Sequence, residues 1–129
     1  MTGWEAAHAF GHRPNLALLH LPDKRLAHIL DGDQYGGGHR HGTGIPGKSE
    51  FPATWSDQTA ASFIRATARA PQRVVYTAAR GRRVEQWRCE REWDGVVVVS
   101  IVHGDGHVHT AWPLPGGRGV VDNPRGIEG

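Results

Sequence analysis

Three turn sequences in the second half of the chain constrain its fold more than any other feature. They are Arg80-Gly81, Trp93-Asp94-Gly95 and Gly104-Asp105-Gly106, and each is typical of a hairpin turn. The stretches that they separate are rich in strand-forming residues and cover 73–78, 84–91, 96–102 and 107–112. The sequence therefore predicts an antiparallel sheet built from consecutive hairpins after residue 72.

Two helices are predicted before this sheet. The first begins at Pro22-Asp23, carries apolar residues at helical spacing and ends at Gly32. The second is capped by Ser56, carries one amphipathic face and ends at Pro71. We therefore expect an α+β domain, with short N-terminal helices packed on a C-terminal antiparallel β-sheet.

The length of 129 residues suits one domain with one modest core. We predict an N-terminal packing segment or linker remnant over 1–22, the domain itself over 23–115, and a flexible Gly- and Pro-rich tail over 116–129. No apolar run is long enough for a membrane span, and no signal-peptide pattern is seen, so we expect any export to depend on another segment. The single cysteine, Cys89, is predicted to be an ordinary strand residue.

The charge pattern is compatible with a nucleic-acid partner. The net charge is +2, and nine histidines can add positive charge when they are protonated near pH 6.5. Arginines also cluster in one part of the chain, at Arg65, Arg69, Arg73, Arg80, Arg82, Arg83, Arg88 and Arg91. A solvated surface would explain the same pattern, so charge alone does not decide the function.

A long glycine-rich loop over residues 31–50 carries the side chains that best explain a chemical activity. His39, Arg40, His41 and Lys48 lie within it, and His28 lies shortly before it. Loops of this length in compact domains are usually functional or disordered, and the charged residues favour function. Two histidines and a lysine can cleave RNA without a metal. A neutral imidazole takes the 2′-OH proton, a protonated imidazole protonates the leaving 5′-oxygen, and the ammonium stabilises the transition state.

The order of motifs in this region resembles the signature of the bacterial EndoU nucleases. The matching segments are His28-Ile-Leu-Asp-Gly, Gly36-Gly37-Gly38-His39 and Gly47-Lys48-Ser-Glu-Phe-Pro before Trp55. The last predicted strand, with Thr110 and Trp112, is similar to the final active-site strand of that family. The resemblance extends from about residue 24 to 115.

This resemblance implies an EndoU-like α+β fold, with a cleft between the helices and the sheet. It also implies an endoribonuclease that needs no metal and no other cofactor. Such an enzyme cleaves RNA by attack of the 2′-OH and leaves a 2′,3′-cyclic phosphate and a 5′-hydroxyl.

The site residues carry over from the resemblance one by one. His28 and His39 match the two catalytic histidines, Lys48 the active-site lysine and Thr110 the catalytic hydroxyl residue. Trp112 matches the aromatic residue that holds the base, which is usually Tyr; an indole can stack on a base but has no phenolic oxygen. The loop residues that we assign to substrate binding beside Trp112 are Arg40 and His41.

The biological setting is also implied by the resemblance. Bacterial EndoU domains occur as C-terminal tails of contact-dependent inhibition toxins and other polymorphic toxins. We therefore expect a toxin domain that is secreted or delivered as part of a larger protein and acts in the cytoplasm of a competing bacterium. The RNA partner would be tRNA or another cellular RNA. A cognate immunity protein would protect the producer, and we expect it to be acidic because the cleft must be positive.

Two other functions stay open at this point. A metal-dependent enzyme is one, because His39-Arg40-His41 and His107-Val108-His109 could supply ligands. Acidic residues that could complete the metal shell are Asp31, Asp33 and Glu50. A non-catalytic RNA- or protein-binding module is the other.

The alternation of side chains along the last strand predicts which of its residues face the site. Val108, Thr110 and Trp112 should share one face of a regular strand. His107 and His109 should point to the opposite face, and we leave both out of the site. His103 lies near a turn and is expected to face solvent.

Overall fold

A computed structural model describes Trp4 and residues 13–125. Residues 13–125 form two α-helices and two antiparallel sheets. A 3-10 turn at Leu16–Leu18 is followed by helix α1 at Asp23–Asp31 and helix α2 at Asp57–Arg69. The strands are β1 (Ser49–Glu50), β2 (Arg73–Thr77), β3 (Gln86–Trp93), β4 (Val96–His103), β5 (Val108–Pro113) and β6 (Val121–Asp122). The prediction of an α+β domain is confirmed.

The larger sheet is an antiparallel meander in the order β2-β3-β4-β5. Its four strands are the four that the sequence predicts, with bounds that differ by a few residues. The turn between β3 and β4 contains only Asp94 and Gly95, whose φ angles are 50° and 82°. Two consecutive positive φ angles match the right-handed twist of the paired strands, which explains the Asp-Gly sequence.

The pairing of β5 contains a β-bulge. Ile101 pairs with Thr110, whereas the next residue of β4, Val102, pairs with Val108. His109 is therefore the extra residue, and it reverses the alternation of side chains along the strand. The prediction that Val108 shares a face with Thr110 is wrong, because Val108 is buried in the core and Thr110 is only partly buried.

The core lies between α2 and the larger sheet. Ile64 of α2 and Val98 of β4 are fully buried, and the Ser100 hydroxyl donates to the Ile64 carbonyl at 2.9 Å. The Ser56 side chain caps α2, as the sequence predicts, by accepting a hydrogen bond from the Thr59 backbone. Helix α1 packs beside β5 at one edge of the sheet. This packing leaves the C-terminal end of α1 next to the glycine-rich loop.

The glycine-rich loop closes the C-terminal end of α1 with its own backbone. His39 N donates to the Ile29 carbonyl at 2.7 Å, and Arg40 N donates to the Leu30 carbonyl at 3.0 Å. The last carbonyls of a helix have no partner within the helix, so these bonds satisfy groups that would otherwise need water. The loop is thus attached to the helix at the position of His39.

The parts of the chain on either side of the predicted domain also contact it. The sequence analysis assigns 116–129 to a flexible tail, but the described part, 116–125, returns to the domain and contains β6, which pairs with β1. Asn123 donates at 2.7 Å to the carboxylate of Glu50, which is 3% exposed. In the predicted segment 1–22, Leu19 and Leu21 are buried and Trp4 donates to the Ala68 carbonyl at 2.8 Å. Residues 1–3, 5–12 and 126–129 lie outside the described residues.

None of the helices in the described part of the chain has the length and apolar character that a membrane crossing requires.

The close contact between the loop and α1 predicts a strong effect of substituting Gly37. A Cβ atom at Gly37 would lie 1.9 Å from the His28 carbonyl oxygen, and its φ of 78° already disfavours other residues. Gly42 is the matched control, because its φ is 95° but a Cβ there would meet nothing within 4 Å. We expect Gly42→Ala to lower the free energy of unfolding by about 1–2 kcal/mol. Gly37→Ala should cost about 1–3 kcal/mol more.

Urea unfolding of the two variants and the parent measures this difference. Equal destabilisation by the two substitutions would show that only backbone strain matters and that Gly37 is not in close contact with α1.

Candidate active site

A cleft of about 740 Å³ lies between α1, the glycine-rich loop and β5. Five of the seven residues predicted for the site line it, namely His28, His39, Lys48, Thr110 and Trp112. The structure therefore brings together residues that are up to 84 positions apart (28 to 112) in the chain.

His28 occupies the last turn of α1 and is 9% exposed. Its Nδ1 lies 2.8 Å from Oδ2 of Asp33. An ionised carboxylate can only accept a hydrogen bond, so Nδ1 carries a proton and Nε2 is the nitrogen left for the cleft. This hydrogen bond is the main reason why the pKa of Asp33 is lowered, and the Tyr35 backbone N–H acts in the same direction. Sequence reasoning offered Asp33 only as a metal ligand and missed this role.

His39 is held by the backbone of β1. Its Nδ1 donates to the Ser49 carbonyl at 2.6 Å, which leaves Nε2 as the acceptor nitrogen. Burial lowers the pKa of His39, and the positive charges of Lys48 and His28 act in the same direction, although the bond to Ser49 opposes them. A neutral imidazole is therefore favoured at this position near pH 7.

Lys48 supplies positive charge beside the glycines of the loop. Its Nζ is 3.6 Å from the point where a Cβ atom of Gly36 would lie. The backbone of Lys48 is fixed on both sides, because its N–H donates to Ile45 and its carbonyl accepts from Asn123, each at 3.1 Å. The ammonium group is therefore carried by a backbone segment that is hydrogen-bonded on both sides, and it lies beside Gly36 in the cleft.

Strand β5 forms the opposite wall with Thr110 and Trp112. Both side chains are partly buried, whereas the flanking Ala111 and Pro113 are buried. The Arg88 guanidinium lies 5.4 Å from the Trp112 ring centre, in cation–π geometry. The Trp112 ring thus contacts Arg88 of the sheet and is also accessible from the cleft.

Arg40 and His41, which the sequence analysis assigned to substrate binding, do not line this cleft. Arg40 forms ion pairs with Asp31 at the end of α1 and with Asp57 at the start of α2, the latter at 2.9 Å. The same contact is the main reason why the pKa of Asp57 is lowered. His41 lies 4.0 Å from Glu50 and lines another cavity. The two ion pairs of Arg40 therefore link the end of α1 to the start of α2.

Arg25 and His109 are two of the cleft residues that the sequence analysis did not predict. Arg25 lies one turn before His28 on the same helix face, and its Nε donates to the His109 carbonyl at 2.7 Å. His109 also lines the cleft, so the prediction that it points away from the site is wrong. His109 faces the cleft because it is the extra residue of the β-bulge. The one sequence signal near this bulge is the glycine-flanked turn that precedes β5.

A group of three histidines lies beside the cleft. His103 was expected to face solvent; it is partly exposed, and its ring also stacks on His109 with ring centres 4.0 Å apart. Burial is the main cause that lowers the pKa of His109 to about 4, and His103 adds to it. Together with His107, these are the one set of three potential metal ligands found among the described residues. His39 and His41, the other candidate pair, do not belong to it.

Comparisons with known proteins give no independent assignment. No family model, no curated protein and no solved structure matches the chain. The arrangement of side chains in the cleft is therefore the observation from which a function must be argued.

The partial exposure of Trp112 predicts that this residue is not needed for folding. Trp112→Ala should lower the free energy of unfolding by about 1 kcal/mol or less, since it removes one cation–π contact and little core. Trp87 is the matched control, because it is 1% exposed and belongs to the core. Trp87→Ala should cost about 3–5 kcal/mol. Thermal melting of the two variants measures the difference, and a loss of similar size in both would place Trp112 in the core.

Proposed function

We propose that the chain is a metal-independent endoribonuclease of the EndoU type, which cleaves RNA by attack of the 2′-OH. The observation that carries this proposal is the pairing of His28 and His39 in one cleft. Each has its Nδ1 held by an acceptor, so each can present Nε2 to a substrate. Lys48 lies in the same cleft and supplies the positive charge that a phosphate requires.

His39 is suited to act as the general base. Its bond to the Ser49 carbonyl fixes the tautomer with an unprotonated Nε2, and burial favours the neutral ring. Nε2 accepts the proton of the ribose 2′-OH while O2′ forms a bond to the adjacent phosphorus. General bases contribute most when they are unprotonated at the working pH, which this environment provides.

His28 is suited to act as the general acid. Its Nδ1–H donates to the Asp33 carboxylate, which fixes the orientation of the ring and leaves Nε2 to carry the transferable proton toward the cleft. The proton on Nε2 passes to O5′ as the bond between phosphorus and O5′ breaks. The products are a 2′,3′-cyclic phosphate and a 5′-hydroxyl. Proton transfers to and from the two histidines therefore balance, and the next cycle begins after both rings exchange protons with solvent.

The other lining residues fit the demands of an RNA substrate. Lys48 and Arg25 can stabilise negative charge that develops on the phosphate oxygens, and the Thr110 hydroxyl can donate to the phosphate or the base. The absence of a side chain at Gly36, where a Cβ atom would lie 3.6 Å from Lys48 Nζ, lets the substrate backbone approach closely. Stacking of a base on Trp112 would contribute roughly 1–3 kcal/mol.

The broader role rests on the resemblance of the sequence motifs to EndoU toxins. We infer from it a toxin domain that acts on tRNA or another cellular RNA, and a cognate acidic immunity protein that covers the cleft. The cationic residues Arg25 and Lys48 support a negatively charged partner at this face.

Metal independence gives the most direct test of the proposed reaction. Incubation of the chain with total RNA in EDTA should yield fragments with 2′,3′-cyclic phosphate ends, because the two histidines perform both proton transfers. A substrate with 2′-deoxyribose at the cut site should resist cleavage, because it lacks the nucleophile. The ends can be identified by sequencing after treatment with and without a phosphatase that opens the cyclic phosphate.

Cleavage that stops in EDTA and returns with zinc or manganese would contradict this proposal and favour the metal-dependent enzyme. Intact RNA in every buffer, with folded protein, would favour a binding module without catalysis.

The different positions of His39 and His41 predict different effects of their substitution. His39→Ala removes the proposed base and should lower the rate of cleavage by about 10²–10⁴-fold. His41→Ala is the control from the same loop, and it should change the rate by much less, because His41 lies outside the cleft. Single-turnover cleavage of one RNA by both variants, with circular dichroism to verify folding, makes the comparison. Equal losses of activity in two folded variants would remove His39 from its assigned role.

A further inference from the structure

We propose that His103, His107 and His109 form a binding site for a divalent transition metal ion such as Zn²⁺, beside the RNA-cleaving groups and separate from them. Each of the three side chains offers one ring nitrogen, and these nitrogens all lie within 4.8 Å of one another. The three residues come from the end of β4, the following turn and the bulge of β5. None of them has a part in the proposed reaction.

The spacing of two of the nitrogens already matches a shared ion. Nε2 of His107 lies 3.2 Å from Nδ1 of His109. Two imidazole nitrogens bound to one zinc ion at tetrahedral angles are about 3.3 Å apart, since each Zn–N bond measures about 2.0–2.1 Å. The ion would therefore lie next to this pair with little change in either ring.

His103 completes the set after a small movement. Its ring stacks on His109 with an angle of 15° between the planes, and it contacts His107 with centres 4.8 Å apart. Its nitrogen must approach the pair by roughly 1–1.5 Å to reach tetrahedral spacing. Rotation of the side chain can supply this distance, because His103 is the last residue of β4 and is only partly buried.

Asp105 prepares His107 for a metal ion. Its Oδ1 accepts from the His107 ring at Nδ1 and also from the His107 backbone N–H. The carboxylate thus keeps the proton on Nδ1 and leaves a lone pair on Nε2, the nitrogen that faces His109. Metal-bound histidines usually have such a carboxylate or carbonyl partner on the other ring nitrogen.

The chemistry of the donors restricts the kind of ion. Three imidazoles suit Zn²⁺, Cu²⁺, Ni²⁺ and related ions, whereas Ca²⁺ and Mg²⁺ require oxygen ligands. Three protein ligands leave a fourth position for water or another small ligand. An ion at this place would join β4 to the bulge of β5 and stabilise the folded chain by mass action.

Metal binding to the full chain tests the proposal. Co²⁺, used as a coloured substitute for Zn²⁺, should give visible absorption bands with one equivalent bound, and excess Zn²⁺ should remove them. Zn²⁺ should also raise the melting temperature of the parent. His107→Gln should lose both effects, whereas His41→Gln, which changes a histidine outside the group, should retain them. Asp105→Asn should weaken binding by about 10–100-fold.

The result that would overturn the proposal is equally specific. It fails if the parent binds no Co²⁺ or Zn²⁺, or if His107→Gln and Asp105→Asn bind the ion as tightly as the parent. The His107 side chain is 21% exposed, so we expect its replacement to leave the fold intact; should it not, Asp105→Asn gives the same decision alone. Because no measurement uses RNA cleavage, failure here leaves the proposed nuclease reaction unaffected, and the reverse also holds.

Discussion

The hydrogen bonds between the glycine-rich loop and the last carbonyls of α1 are the constraint on which the rest of the site depends. They hold His39 next to the helix end that carries His28, although a loop separates the two residues in sequence. The contact is possible because Gly37 has no Cβ atom to meet the His28 carbonyl. A helix end that needs acceptor partners and a loop that has free N–H groups thus satisfy each other, and the same bonds set the separation of the two imidazoles.

Ser49 joins this first wall of the cleft to the second. Its carbonyl accepts from His39, while its hydroxyl donates to the Pro113 carbonyl at the end of β5 at 2.6 Å. Ser49 therefore connects the wall that carries His39 to the wall that carries Trp112 through two hydrogen bonds. Preorganised sites depend on such supporting bonds, because they hold the reacting groups in one geometry.

Much of the fold could be predicted from local patterns, whereas the missed features arise from contacts between distant residues. Helical spacing, the Ser56 cap and the Asp94-Gly95 turn are local, and the elements that they indicate are present. The strands β1 and β6 contain two residues each and exist only because they pair with one another. The motif resemblance indicated five residues that line the cleft, but it could not separate His39 from Arg40, whose side chains leave the loop toward different neighbours. The alternation of side chains expected for a regular strand also cannot reveal a bulge such as the one at His109.

The pairing of β6 with β1 also determines how this domain can be joined to other proteins. Asp122 lines the cleft, and Gly47 N donates to the Asn123 carbonyl at 3.1 Å, directly before Lys48. Arg125, the last residue of the described segment, lies beside Gly47, which lines the cleft, so a polypeptide joined at this end starts next to the cleft. An affinity tag or fusion partner in that position would compete with a large substrate for space, and a histidine tag would add imidazoles near the site.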